Sequence, residues 1–148
     1  MRALAFALVT ACATACAPQY INTLAPKDAK FDVSCGEGCG KHERDASTVI
    51  DVRFGEKYLR RFNVCCNDKA AVMAQLITVR DMWCSGLAVP PKAFGGLTIG
   101  TTTSEINGKR AATLDQGEMY VTFQCDDWLP KLIERLDHAS CCATAAAP

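Results

Sequence analysis

Cysteine is the residue type through which this chain could do the most chemistry. Of ten cysteines, Cys12 and Cys16 lie in an apolar N-terminal stretch, and Cys35, Cys39, Cys65, Cys66, Cys84, Cys125, Cys141 and Cys142 are spread along the body. Thiolates can hold a metal, exchange electrons or close into disulfides, and spacing separates these roles. In CGEGCGKH, Cys35, Cys39 and His42 offer three ligands for a metal loop, although Cys-x3-Cys is wider than the usual Cys-x2-Cys zinc knuckle. The competing reading of the same residues is a stapled turn whose glycines permit a tight backbone. A dithiol redox role calls for Cys-x-x-Cys at a helix N-terminus, which lowers a thiol pKa, and no cysteine pair here has that form. Eight body cysteines are an even set, as a framework of up to four disulfides requires. The expectation is therefore disulfides, with no metal and no cofactor, and Cys35, Cys39 and His42 remain the weaker metal alternative.

Catalytic machinery is sparse. The two histidines, His42 and His138, stand near no serine or cysteine nucleophile motif, and the chain holds no G-x-S-x-G, H-E-x-x-H, P-loop or dinucleotide fingerprint. Asp126-Asp127 could do acid–base work at a strand end, but helix capping accounts for that pair. His138 near a helix C-terminus is accounted for by the helix dipole. No catalytic residue is assigned, and the chain reads as a non-enzyme.

Sixteen basic residues balance sixteen acidic ones, so no net field draws in nucleic acid. Arg2 followed by the apolar residues 3–11 forms an export signal too short to span a bilayer. Ala13-Thr14-Ala15 offers a small-x-small cleavage pattern before Cys16. Val9-Thr10-Ala11-Cys12 and Ala13-Thr14-Ala15-Cys16 resemble the lipobox of bacterial lipoproteins, whose cysteine is acylated as the signal is removed. The resemblance covers residues 1–16. It implies a lipid on Cys16, with Cys12 as the alternative, and a membrane partner for the mature N-terminus. Choosing Cys16 leaves eight cysteines for disulfides, whereas choosing Cys12 strands Cys16.

The elements that must position the body cysteines follow from periodicity and punctuation. Residues 16–30, with two prolines, read as a flexible tether, and residues 31–34 as a short strand. From residue 48, Ile50, Val52 and Phe54 alternate with Asp51 and Arg53, the pattern of a half-buried strand. Gly55-Glu56 suits a two-residue hairpin that pairs Phe54 with Lys57, Val52 with Leu59 and Asp51 with Arg60. Asn67-Asp68 caps a helix with a core face of Val72, Leu76, Val79 and Trp83, flanked by Met73 and Ile77, and Gly86 stops it. SGLAVPPKAFGG reads as a crossover. A threonine-rich strand over residues 97–106 turns at Asn107-Gly108, returns over 109–114, and turns again at Asp115-Gln116-Gly117 into a strand over 118–124. The second helix is expected to be capped at Asp127, with Pro130 in its first turn and Leu129, Leu132, Ile133 and Leu136 as its apolar stripe.

Two stretches share one grammar. Gly55-Glu56-Lys57-Tyr58 leads through Phe62 to Cys66, a helix and Cys84, and Gly117-Glu118-Met119-Tyr120 leads through Phe123 to Cys125, a helix and Cys141-Cys142. The copies stand 62 residues apart at the glycines and 59 apart at the second cysteine. INGKRAATLDQGEMYVTF also resembles the small repeated β-sandwich modules of the PEGA type on bacterial surface proteins, in its Asn107-Gly108-Lys109 turn and later strand. It lacks their proline after the turn and runs on into a helix. The resemblance implies a hairpin and carries no function.

The expected architecture is a single disulfide-rich α+β domain over residues 31–142. It is built as two related antiparallel hairpin-plus-helix units, about 48–86 and 97–142, after an export signal (1–15) and the tether, and before a disordered tail (143–148). Geometry limits the stapling. Some fifteen helical residues separate Cys66 from Cys84 by roughly 22 Å, against a bridge limit near 7 Å, and the same holds between Cys125 and Cys141 or Cys142. Cys65 and Cys66 point to opposite faces of a strand and should not join each other. The bridges should be long-range, from helix ends to strands or to the Cys35–Cys39 stretch. Function is expected to be binding or structure at the cell envelope, with an unknown protein or envelope ligand. The alternative is a small secreted effector or toxin-like factor.

Overall fold

The computed structural model describes residues 30–39, 42–54, 58–102, 105, 108–126 and 128–142. The export signal, Cys12, Cys16, the tether up to residue 29, Asn107, Asp127 and the tail lie outside the described residues. An antiparallel three-stranded sheet, in order β1-β2-β3, consists of β1 (Lys30–Cys39), β2 (His42–Phe54) and β3 (Tyr58–Cys65). After α1 (Lys69–Asp81), a four-stranded antiparallel sheet follows in order β4-β5-β6-β7: β4 (Lys92–Phe94), β5 (Leu97–Thr101), β6 (Ala111–Gln116) and β7 (Met119–Gln124). The chain then closes with α2 (Leu129–His138). This is a disulfide-stapled α+β fold of two sheet-and-helix units.

The helix stripes fall as the periodicity predicts. Val72, Leu76 and Val79 of α1 and Leu129, Leu132, Ile133 and Leu136 of α2 are buried. Burying each such side chain contributes about 1.5–3 kcal/mol, so it is these stripes that hold the helices on the fold. They enter one continuous core with Ile50, Val52, Phe62 and Val64 of the first sheet and Leu97, Ile99, Leu114, Val121 and Phe123 of the second. The units therefore share a core, and α1 packs on β4 and β5 of the second unit as well as on β3 and α2. The start of α1 lies at the end of α2, where Lys69 Nζ donates to the Ala139 carbonyl. Trp128 joins the sheets: its ring centroid is 4.4 Å from that of Phe31 in β1 and 5.8 Å from that of Phe123 in β7.

Several local expectations are corrected. The stretch CGEGC is not a turn but the second half of β1, which continues from Lys30 to Cys39, so the first unit begins well before residue 48. Gly36 is required by close packing, since a Cβ there would stand 2.4 Å from Val49 Cγ2. Gly38, at φ +107°, takes up a register shift between Glu37 and Cys39. The first hairpin is offset by one residue from the two-residue turn: Phe54 pairs with Tyr58, Val52 with Arg60 and Asp51 with Arg61. Burial decides this register, because it sets Phe62 opposite Ile50 and Val64 opposite Thr48, where the shorter turn would have faced arginine onto the core position.

The crossover holds a strand of its own, β4, paired with β5. β5 spans Leu97–Thr101, with Thr101 paired to Ala112; the expected turn residue Asn107 lies outside the described residues. The β6–β7 hairpin turns at Gly117-Glu118 between the paired Gln116 and Met119, with Gly117 at φ +63°. Asp68 occupies the N-cap of α1 without a capping side-chain bond. A 3₁₀ turn over Cys66–Asp68 precedes the helix instead, and the Lys69 N–H bonds to the Cys66 carbonyl. The N-cap of α2 is Trp128, which places Pro130 second in the helix, where no intrahelical N–H bond is lost.

The corrected register builds a charge pair into the first sheet. Arg61 donates from Nε and Nη2 to the two carboxylate oxygens of Asp51, at 2.8 and 2.9 Å. These bonds hold the Asp51 carboxyl below its ordinary range; burial opposes the shift, and the Arg61 and Arg53 charges add to it. A carboxyl lowered in the folded state stabilises the fold above its unfolded pKa of about 3.9, and that contribution fades as pH falls through the folded value. Urea unfolding of Asp51→Asn should accordingly show a loss near neutral pH that shrinks progressively as the pH is taken below about 3.9. A loss unchanged by acid would mean that the ion pair is not its source.

Candidate functional site

All eight body cysteines are consumed in four bridges: Cys35–Cys141, Cys39–Cys65, Cys66–Cys142 and Cys84–Cys125, with Cα–Cα distances of 5.1, 5.5, 5.2 and 5.7 Å. None joins the two ends of one helix, and neither vicinal pair closes on itself. Two of the bridges exchange partners between the units. The cysteine before α1 bonds to the one after α2, and the cysteine before α2 bonds to the one after α1. Side-by-side helices of opposite direction make that exchange possible, because the start of each lies near the end of the other. The bridges are not confined to helix-to-strand ties, since Cys66–Cys142 links the flanks of two helices. Peptide bonds within Cys65-Cys66 and Cys141-Cys142, together with residues 35–39, join Cys35–Cys141, Cys39–Cys65 and Cys66–Cys142 into a closed covalent ring, with Cys84–Cys125 outside it.

The weaker metal alternative rested on Cys35, Cys39 and His42. Cys39 and His42 are paired across the β1–β2 connection, but the Cys35 and Cys39 sulfurs are oxidised into separate bridges and cannot serve as thiolate ligands. Among the described residues, no group of three or more His, Cys, Asp or Glu is placed to hold a metal ion. Asp126 forms an ion pair with Lys109 at 2.8 Å. His138 is exposed, with Nδ1 2.8 Å from the Glu134 carbonyl one turn back in its own helix. Neither depression of the surface described below is lined by His138.

One depression lies against the Cys84–Cys125 bridge and has a volume of about 390 Å³. Its charges are balanced, with Lys109 and Arg110 facing Glu105 and Asp126. Arg110 is held over the Trp83 ring at 4.4 Å and donates to the Trp83 carbonyl, while the indole N–H donates to the Ala111 carbonyl. These contacts make Arg110 and Trp83 a clamp between α1 and β6.

The other depression is charged. It is a cleft of about 370 Å³ between β1 and α2, lined by Lys30, Phe31, Asp32, Arg53, Lys131 and Arg135. That volume lies within the range of small-ligand sites. β-sheet register sets Lys30 opposite Arg53, and one helical turn sets Lys131 beside Arg135 on the exposed side of α2. Arg135 is fixed in place: Nη1 donates to the Phe31 carbonyl and stands 3.8 Å from Asp32 Oδ1, and Cζ lies 4.7 Å above the Phe31 ring. Such a cleft can hold an anion by charge and charge-assisted hydrogen bonds. No reading of the sequence pointed to this cleft. The cleft residues are far apart in sequence, so their only linear signal is the Lys131–Arg135 spacing of four.

Among the described residues, no helix is long and apolar enough to cross a membrane. Compared with protein-family models, curated proteins and solved structures, the chain matches none.

Proposed function

We propose that the chain is an exported, membrane-anchored binding or structural domain of the cell envelope, without catalysis of its own. The observation that supports this most is the complete internal pairing of the eight body cysteines, which leaves Cys12 and Cys16 as the cysteines outside the framework. Four bridges suit an oxidising compartment beyond the cytoplasm. An odd cysteine at the processed end of an export signal suits acylation, and the lipobox pattern ends on it. One acyl chain alone holds a protein to a membrane only marginally, so a firm anchor needs more than one chain or a second contact.

Partitioning between detergent and aqueous phases tests the anchor. The mature protein is expected in the detergent phase, Cys16→Ser should move it to the aqueous phase, and Cys12→Ser should leave it unmoved. If Cys16→Ser partitions like the parent, the anchor at Cys16 is wrong. Release of the unmodified parent into the medium would favour the secreted effector instead.

A further inference from the structure

We propose that the cleft between β1 and α2 is a binding site for a phosphate group. The inference deepens the reading of this domain as a binder, by naming a ligand class, and does not depend on the anchor. Four cationic side chains, Lys30, Arg53, Lys131 and Arg135, meet one carboxylate, Asp32, around a cleft on a chain whose charges sum to zero overall. Like charges brought together repel, and a cluster of this kind is disfavoured until an anion joins it.

The neighbouring carboxylates relieve the repulsion only in part, since Asp51 acts on Arg53 by charge alone and not by a hydrogen bond. Asp51 gives both oxygens to Arg61, and Asp32, highly exposed, reaches only Arg135. Among the described residues, Lys30, Arg53 and Lys131 form no ion pair. Arg135 is preorganised by the Phe31 ring and carbonyl, so one cation of the site is held without a ligand, which lowers the ordering cost of binding.

Charge count and donor type favour phosphate over carboxylate. A phosphate monoester carries about −1.5 to −2 near neutral pH and presents three acceptor oxygens, against a single negative charge on a carboxylate. Lysine ammonium groups, which act as point charges with three donors each, suit a phosphate approached from several sides. The group could arrive as a free or small-molecule phosphate, or, as a diester with a single charge, in the headgroup of a phospholipid.

Calorimetric titration of the oxidised chain with inorganic phosphate, with acetate as comparison, tests the class. Parallel sedimentation with phosphatidylglycerol or phosphatidylcholine vesicles tests the source. Saturable phosphate binding, weakened by added salt and stronger than acetate binding, is the expected result. Arg53→Gln and Lys131→Gln should each weaken it about tenfold or more, the worth of a charge-assisted hydrogen bond. Both positions are exposed, and an unchanged unfolding midpoint would show that the fold is intact. Binding confined to phosphatidylglycerol vesicles, and lost in the same variants, would assign the phosphate to a lipid headgroup. The proposal is overturned if neither phosphate nor vesicles bind, if acetate binds as well as phosphate, or if the two variants bind like the parent. A Cys16→Ser chain that loses its detergent partition but still binds phosphate would separate this site from the anchor.

Discussion

Removing the Cys84–Cys125 bridge is expected to destabilise the protein by about 4 kcal/mol, and removing Cys35–Cys141 by only about 2–3 kcal/mol, although the latter spans 106 residues of sequence and the former 41. The inversion follows from connectivity. A disulfide stabilises chiefly by closing a loop in the unfolded chain, and the loop that counts is the shortest covalent path left when the bridge is gone. For Cys35 and Cys141 that path runs through residues 35–39 and the Cys39–Cys65 and Cys66–Cys142 bridges, so the ends stay close. For Cys84 and Cys125 it remains several tens of residues long. Each bridge of the ring should thus be cheap to lose singly and costly to lose in pairs. Urea unfolding of Cys84→Ser/Cys125→Ser against Cys35→Ser/Cys141→Ser decides the matter. A larger loss from the second variant would show that sequence separation, not the ring, sets the order.

Trp128→Ala should cost about 3–5 kcal/mol, the range for deleting a large buried aromatic side chain. Trp128 is 5% exposed and lies between Phe31 of the first sheet and Phe123 of the second. Its loss empties the junction of the two units, not the interior of one. The two units share one continuous core, so unfolding should stay a single transition at a lower midpoint. Trp128→Phe, which keeps a ring in the row, should recover most of the loss. A cost below about 1 kcal/mol for the alanine variant would mean that the aromatic row does not join the sheets.

Most of the helical half of the fold was legible in the sequence. The stripes Val72-Leu76-Val79 and Leu129-Leu132-Ile133-Leu136 face the core because a period of 3.6 leaves them no other face to share. The strands were less legible, for identifiable reasons. Gly36 and Gly38 read as turn residues, yet one is a strand glycine fitted under Val49 and the other a bulge. Gly55-Glu56 offered a good hairpin turn, and the burial of Phe62 and Val64 overrode it by one residue. Distance along a helix excluded Cys66–Cys84, but the true partners depend on how α1 and α2 lie side by side, which no local pattern states. The cationic cleft needs both the β1–β2 register and the packing of α2, and so was out of reach of any reading by segments.

The closed ring has a further consequence for what happens when the backbone is cut. A single peptide bond broken anywhere between Cys35 and Cys142 leaves both pieces attached, because every such cut is spanned by at least one bridge. A cut between β2 and β3 is spanned by Cys39–Cys65, one within α1 by Cys66–Cys142, and one between β5 and β6 by Cys84–Cys125. Nicking therefore changes the chain without releasing a fragment, and the severed ends stay near enough to keep the core packed. The residues exempt from this are those before Cys35 and after Cys142, so a protease can sever the body from its N-terminus with one cut while needing several to take the body apart.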